Sequence, residues 1–226
     1  MDELTLAEFI TELKKPGVRC ALQVRHAERP RIDPNDPSFG DHLALTDEGS
    51  RTSRKLGELL ADFKDDVTFV SSPLRRTVMT AELIAEGMGV EAPSIPTFGC
   101  LGNETFYFAN AADVLVVFQP GNFFDSCFKY YEEGEMKGFH NLFEASDKLE
   151  AWLLEHLEKK LLIATTHDCY IAAYLAAKTR YRFSRETWTR FLDGGALLLY
   201  PDGTKRYALV RAGLSTGICG VGGKVM

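Results

Sequence analysis

Apolar positions recur along this chain in two periods, and their alternation predicts an α/β protein. Leu6, Phe9, Ile10 and Leu13 stand at helical spacing before Pro16 and Gly17 interrupt the run, so "MDELTLAEFITELKKPG" predicts an amphipathic helix. The apolar stretch ending at Val24 predicts a buried strand, which puts Arg25 and His26 at its carboxyl end. "TDEGSRTSRKLGELLADF" predicts a helix capped by Thr46, with Asp47 and Glu48 at the positive end of its dipole and Leu56, Leu59, Leu60 and Phe63 as its buried stripe. Residues 67–70 predict a second strand, followed by a helix with Ser72 as its cap, Pro73 at the first helical position, and Gly87 or Gly89 at its end. "NLFEASDKLEAWLLEHLEKK" predicts another amphipathic helix. It leads into the buried strand "LLIATT", then His167 and Asp168, then an apolar helix. The tail "GGALLLYPDGTKRYALVRAG" predicts a hairpin turning at Pro201, Asp202 and Gly203.

Alternating strands and helices that finish in a hairpin predict a three-layer α/β sandwich, with a mostly parallel central sheet and an antiparallel edge hairpin. The length of 226 residues suits one domain over 1–226. Between about 96 and 140 the character changes. Phe98, Phe106, Tyr107, Phe108, Phe118, Phe123, Phe124, Phe128, Tyr130, Tyr131 and Phe139 crowd a short segment, which predicts an inserted aromatic-rich cap that packs with some rings and presents others to a ligand. The loop "RPRIDPNDPSFGDHLAL" is long for a compact domain and is expected to border the pocket.

Composition narrows the function. A formal charge of −6 offers no long-range attraction for nucleic acid or anionic membrane, so an anionic ligand must be held locally. No stretch is long and apolar enough to span a bilayer, and the amino terminus does not read as a signal peptide, so a cytoplasmic location is expected. Cys20, Cys100, Cys127, Cys169 and Cys219 are odd in number and scattered, which argues against a disulfide framework or a zinc site.

Three strand ends far apart in sequence carry Arg25 with His26, Arg76, and His167 with Asp168. In an open α/β sheet such ends share one crevice. Singly, His26 reads as a core histidine, Arg76 as a surface helix residue and Asp168 as a helix cap; together they suit phosphoryl transfer. Arginines bind phosphate in bidentate fashion and absorb transition-state charge. A neutral His26 can attack phosphorus, His167 can donate to a phosphoryl oxygen, and a protonated Asp168 can protonate the leaving oxygen and then activate water. Arg75, next along the helix from Arg76, is expected to face away. Glu28 is expected to be solvated or paired with an arginine, and His42, His140 and His156 to be structural or at the surface.

The same residues resemble the histidine phosphatase superfamily, also called phosphoglycerate mutase-like. "RHAER" is similar to its R-H-G-x-R signature with Ala27 for the glycine, "LTDEG" and "SSPLRRTVMTA" to its L-T-x-x-G and S-x-L-x-R segments, and "HD" to its second histidine motif. The resemblance implies that His26 is the phosphorylated nucleophile, that Arg25, Arg76 and His167 form the phosphate pocket with Arg29 as a further phosphate ligand, and that Asp168 is the proton donor. His167-Asp168 and Arg29 resemble the acid phosphatase branch, whereas mutases of the family have Gly-His there and a mid-chain glutamate as acid. Glu104 in "LGNETF" is a minority candidate for that glutamate.

The expected activity is thus metal-independent and cofactor-free hydrolysis of a small organic phosphomonoester through a phosphohistidine, with an optimum at about pH 5 to 6.5. A phosphomutase of the same fold and a catalytically silent phospho-ligand binder remain as alternatives. Neither a nucleic-acid partner nor a membrane is expected, and the sequence leaves the oligomeric state open.

Overall fold

The computed structural model describes all residues except 34, 37, 39, 92–94, 111, 115–120, 216 and 218–226, so Phe118 and Cys219 lie outside the described residues. A six-stranded sheet forms the middle layer: β1 (Asp2–Thr5), β2 (Arg19–Arg25), β3 (Val67–Ser71), β4 (Leu161–Thr166), β5 (Gly194–Leu199) and β6 (Lys205–Arg211), in the spatial order β1-β6-β5-β2-β4-β3. Only β5 runs against the others, being antiparallel to both β2 and β6, while β2 with β4, β3 with β4 and β1 with β6 pair in parallel.

Side chains along each strand point alternately to the two faces, and both faces are covered. Cys20, Leu22 and Val24 of β2, with Leu161 and Ile163 of β4, pack under α1 (Leu6–Leu13), α2 (Asp47–Leu59) and α3 (Arg75–Met88). Ala21 of β2, with Leu162 and Ala164 of β4, packs under α4 (Phe123–Glu133), α5 (Leu142–Glu155) and α6 (Asp168–Thr179). The expected three layers are therefore present. Among the described residues, no helix is long and apolar enough to cross a membrane.

Four local expectations are corrected. Asp2–Thr5, expected to open the first helix, is instead a strand, and α1 begins behind a reciprocal cap between Thr5 and Glu8. Because β1 pairs with the outer side of β6, the terminal hairpin lies inside the sheet and not at its edge; edge position depends on a strand from the far end of the chain, which the hairpin's own residues do not report. Helix α2 stops at Leu59, and a 3-10 turn over Ala61–Asp66 carries Phe63 into the core, so Leu56, Leu60 and Phe63 are buried while Leu59 is exposed. Finally, α3 starts at Arg75 behind Leu74, and Ser72 does not cap it.

Helices α2 and α3 touch through two glycines. A Cβ on Gly57 would lie 2.1 Å from the carbonyl oxygen of Ile84, and one on Gly87 would lie 2.1 Å from that of Arg54. Both obstacles are backbone, so a side chain at either position forces the helices apart. Gly57→Ala or Gly87→Ala is expected to lower stability by about 1–3 kcal/mol or more, read as a fall in the urea midpoint at unchanged slope.

Candidate active site

The strand register assembles the site. Arg25 pairs with Thr166 across β2 and β4, and Ser71 pairs with Thr165 across β3 and β4, so the three carboxyl ends finish side by side. The backbone continues the alignment past the strands, with His26 N–H donating to Thr166 O at 3.0 Å and Ser72 N–H to Thr165 O at 2.9 Å. Helix α2 supports the chain leaving β2. Thr46 donates to the carboxylate of Glu28 at 3.0 Å and caps α2 through Gly49 N–H, so the partly exposed Glu28 carboxylate also meets a hydroxyl. Gly49 has no room for a side chain, since its Cβ would lie 2.2 Å from Glu28 O.

His26 is buried, and its Nδ1 lies 2.8 Å from the carbonyl oxygen of Ala27. A carbonyl only accepts, so Nδ1 carries the proton and the lone pair belongs to Nε2. The ring sits 5.5 Å from that of His167 and 5.7 Å from that of Phe191, centroid to centroid. Burial depresses the His26 pKa well below the ordinary imidazole value, and Arg76, His167, Arg25 and Arg29 add to the effect. His167 is depressed in the same way by burial and by Arg76, Arg29 and Arg25. Its Nε2 lies 3.2 Å from Ser72 Oγ, which is what the Ser72 hydroxyl does in place of capping α3.

Three guanidinium groups converge on these imidazoles. Arg25 bonds Thr189 O at 2.6 Å and Asp168 Oδ2 at 3.0 Å, and its Cζ lies 4.4 Å from the centre of the Phe191 ring. Arg29 is buried and donates to Pro30 O. Arg76 is buried in the first turn of α3 and donates to Gly40 O at 2.9 Å, which brings the long loop after β2 to the pocket. Burial pulls its pKa down to about 10, with Arg29 contributing, so it stays cationic at neutral pH. Arg75 is exposed, as adjacent helical positions require.

Asp168 opens α6 and meets donors on both oxygens: Cys169 N–H on Oδ1 at 2.9 Å, and Trp188 Nε1–H and Arg25 Nη2 on Oδ2, both at 3.0 Å. The residues singled out at the strand ends therefore share one centre, together with Arg29. Glu104 is in a turn that adjoins these strand ends. It is exposed, with its carboxylate folded against Gly99 in the turn Gly99–Leu101, whose carbonyl at Leu101 accepts from Thr166. His42 is exposed beside Asp36, and His156 stacks on Trp152. Sequence reasoning missed Ser72 in its bond to His167 and passed over Trp188, Thr189 and Phe191. The available signal was a pair of aromatics, "TWTRF", in an otherwise charged segment.

The aromatic segment packs more than it presents. Tyr107, Phe123 and Tyr130 are buried, and Phe98, Phe106, Phe108, Phe124, Phe128, Tyr131 and Phe139 pack partly buried against the core. Among the described residues, no three His, Cys, Asp or Glu side chains gather in a metal-binding arrangement.

Fold and site together describe an α/β protein whose sheet ends in a buried pocket of arginine and histidine suited to a phosphate dianion. Residues 22–98 match the family model of the histidine phosphatase superfamily, branch 1, which supports that superfamily. No curated protein sequence matches the chain. Solved structures share the fold. Mycobacterial glucosyl-3-phosphoglycerate phosphatase superposes with a TM-score of 0.55 at 17% identity, covering 85% of this chain and 97% of that one. The same mycobacterial enzyme with inorganic phosphate gives 0.54 at 16%, covering 88% and 100%. Phosphoglycerate mutase from Bacillus anthracis gives 0.53 at 11%, covering 84% and 92%.

Burying two neutral histidines makes stability depend on pH. Below about pH 6.5 the unfolded chain takes up protons at both imidazoles, while the folded chain, with both pKa values depressed, does not. Stability is therefore full above that pH and declines below it, by at most about 2.7 kcal/mol per pH unit for two protons. Urea denaturation at pH 7.5 and 5.5 is expected to show this decline, and His26→Gln to halve its slope.

Proposed function

We propose that this protein hydrolyses a small organic phosphomonoester without a metal, through a phosphohistidine on His26. The carrying observation is the buried His26, its Nδ1 proton engaged by Ala27 O and its Nε2 left as a base among Arg25, Arg29, Arg76 and His167. In the first step Nε2 attacks phosphorus, the bond from phosphorus to the ester oxygen breaks, and that oxygen takes a proton from Asp168. In the second, water attacks the phosphohistidine, gives a proton back to Asp168 and releases inorganic phosphate and neutral His26. Arg25, Arg29, Arg76 and His167 hold the phosphoryl oxygens and meet the charge that builds in each transition state.

The donors around Asp168 suit a carboxylate, so its role as acid depends on the substrate. A bound phosphate dianion competes for Arg25, which removes one of the two donors from Oδ2 and adds a negative neighbour; both changes favour the protonated form. Phosphatase is preferred to mutase because an acid stands at position 168 inside the pocket while Glu104 is exposed. Placement in the acid phosphatase branch rests on His167-Asp168 and Arg29; the model matched over residues 22–98 is that of branch 1. The aromatic segment at about 96–140 serves in this reading as a cap within one domain, and a cytoplasmic location fits the free thiols of Cys20, Cys100, Cys127 and Cys169.

The test is release of phosphate from an aryl and an alkyl phosphate in the presence of EDTA. Wild type is expected to turn over and His26→Ala to lose turnover, with a labelled phosphohistidine trapped only in wild type. Asp168→Asn is expected to lose about 10²–10⁴-fold in kcat on the alkyl ester and much less on an aryl ester, whose leaving group needs no acid. Because His26 is held neutral far below pH 6.5, the acid limb of kcat/KM should fall well below that pH. Transfer of label between two hydroxyls without phosphate release would indicate a mutase, and tight binding without turnover a silent binder.

A further inference from the structure

Trp188 joins the aromatic segment to the acid. It is almost completely buried, and its ring packs against Phe123, Phe124 and Phe128 at 5.2 to 5.9 Å, against Phe183 at 6.1 Å, and in parallel with Tyr131 at 6.4 Å. An indole held on so many sides has one orientation available, and its single polar atom, Nε1, points its hydrogen at Asp168 Oδ2 from 3.0 Å. We infer that Trp188 is a positioning residue for the reaction: its indole N–H, oriented by the rings of α4, fixes the Asp168 carboxyl in the orientation from which it transfers its proton. The inference rests on the reading of Asp168 as proton donor.

The chemistry follows from what each partner can do. Indole N–H and guanidinium only donate, so Oδ2 accepts from both, while Oδ1 accepts from Cys169 N–H. When phosphate draws Arg25 away, Trp188 is the side-chain donor that keeps Oδ2 in place, and the acid does not swing with the arginine. Other charged or titratable groups face this carboxyl: Arg25 from β2, Arg76 from α3, Cys127 and Tyr131 from α4, and Cys169 and Tyr170 from its own helix. Tyr131 also donates to Cys169 O at 2.7 Å, which ties α4 to the first turn of α6 a second time.

Trp188→Phe removes the N–H and retains a ring. Phe128→Leu removes one of these rings, leaves Phe123, Phe124, Tyr131 and Phe183 to hold the indole and its N–H in place, and so controls for packing. Trp188→Phe is expected to lower kcat on an alkyl phosphate about tenfold while leaving KM and the aryl phosphate rate within about twofold. Its alkaline limb should move up by about one pH unit, since an N–H on Oδ2 favours the carboxylate over the acid. Phe128→Leu should keep the wild-type ratio of alkyl to aryl rates and the wild-type limb. If Trp188→Phe behaves as Phe128→Leu does, the inference is overturned. A readout independent of turnover separates the two readings. Trp152 and Trp188 give two indole N–H signals in a proton–nitrogen correlation spectrum, and Asp168→Ala should move only that of Trp188. Movement of that signal in a protein that lacks turnover, or whose Asp168→Asn variant keeps its alkyl ester rate, would sink the catalytic reading of Asp168 and leave the hydrogen bond standing. An unmoved signal would sink the inference itself.

Discussion

The register between β2 and β4 is the constraint on which the rest of this molecule depends. Six consecutive residues of each strand pair in parallel, from Cys20 with Leu161 to Arg25 with Thr166, and both strands are buried on both faces because helices cover both. A slip of one residue by β2 would exchange its faces, sending Ala21 to the side of α1–α3 and turning Arg25 away from Asp168. Burial on two sides makes such a slip costly. The chemistry at the strand ends therefore inherits its alignment from the hydrophobic core and needs no dedicated scaffold.

What that alignment creates is a concentration of like charge that folding alone would not select. Arg25, Arg29 and Arg76 are all buried, close enough to depress the two imidazoles between them. Each is stabilised locally: Arg25 by Asp168, Thr189 O and the face of Phe191, Arg29 by Pro30 O, Arg76 by Gly40 O. Burying three guanidinium groups together carries a desolvation cost that such contacts offset. Burial, with the same positive field added to it, lowers the pKa of His26, so one arrangement sets both the charge of the site and the state of its imidazole.

The aromatic segment and the loop that carries Trp188, Thr189 and Phe191 give this pocket its second wall. Phe191 lies against both Arg25 and His26, and Trp188 bonds the carboxylate that Arg25 also bonds. Rings that read in the sequence as both packing and lining do both, since Tyr107, Phe108, Tyr130, Tyr131 and Phe139 line a cavity as they pack, and they reach the site through the Trp188 indole and the Tyr131 hydroxyl.

Much of this was legible in the chain. Period-two and period-3.6 patterns marked five of the six strands and the helices that flank them, because burial on one or both faces writes itself directly into side-chain polarity. Arg25, His26, Arg76, His167 and Asp168 stood out because each follows an apolar strand or opens a helix, positions whose location in an α/β sheet is known before the fold is. Asp2–Thr5 did not show as a strand, since a four-residue edge strand with one buried side chain carries almost no pattern. Nor did the interior place of the terminal hairpin, which that distant strand decides. The Ser72 bond to His167, the Trp188 bond to Asp168 and the Phe191 contact with Arg25 span 95, 20 and 166 residues of chain. Residue type along the chain determines which groups can donate, accept or attack, because those are properties of single side chains; which of them meet is decided only by tertiary structure, because distance in space is set by packing and register that no local stretch contains.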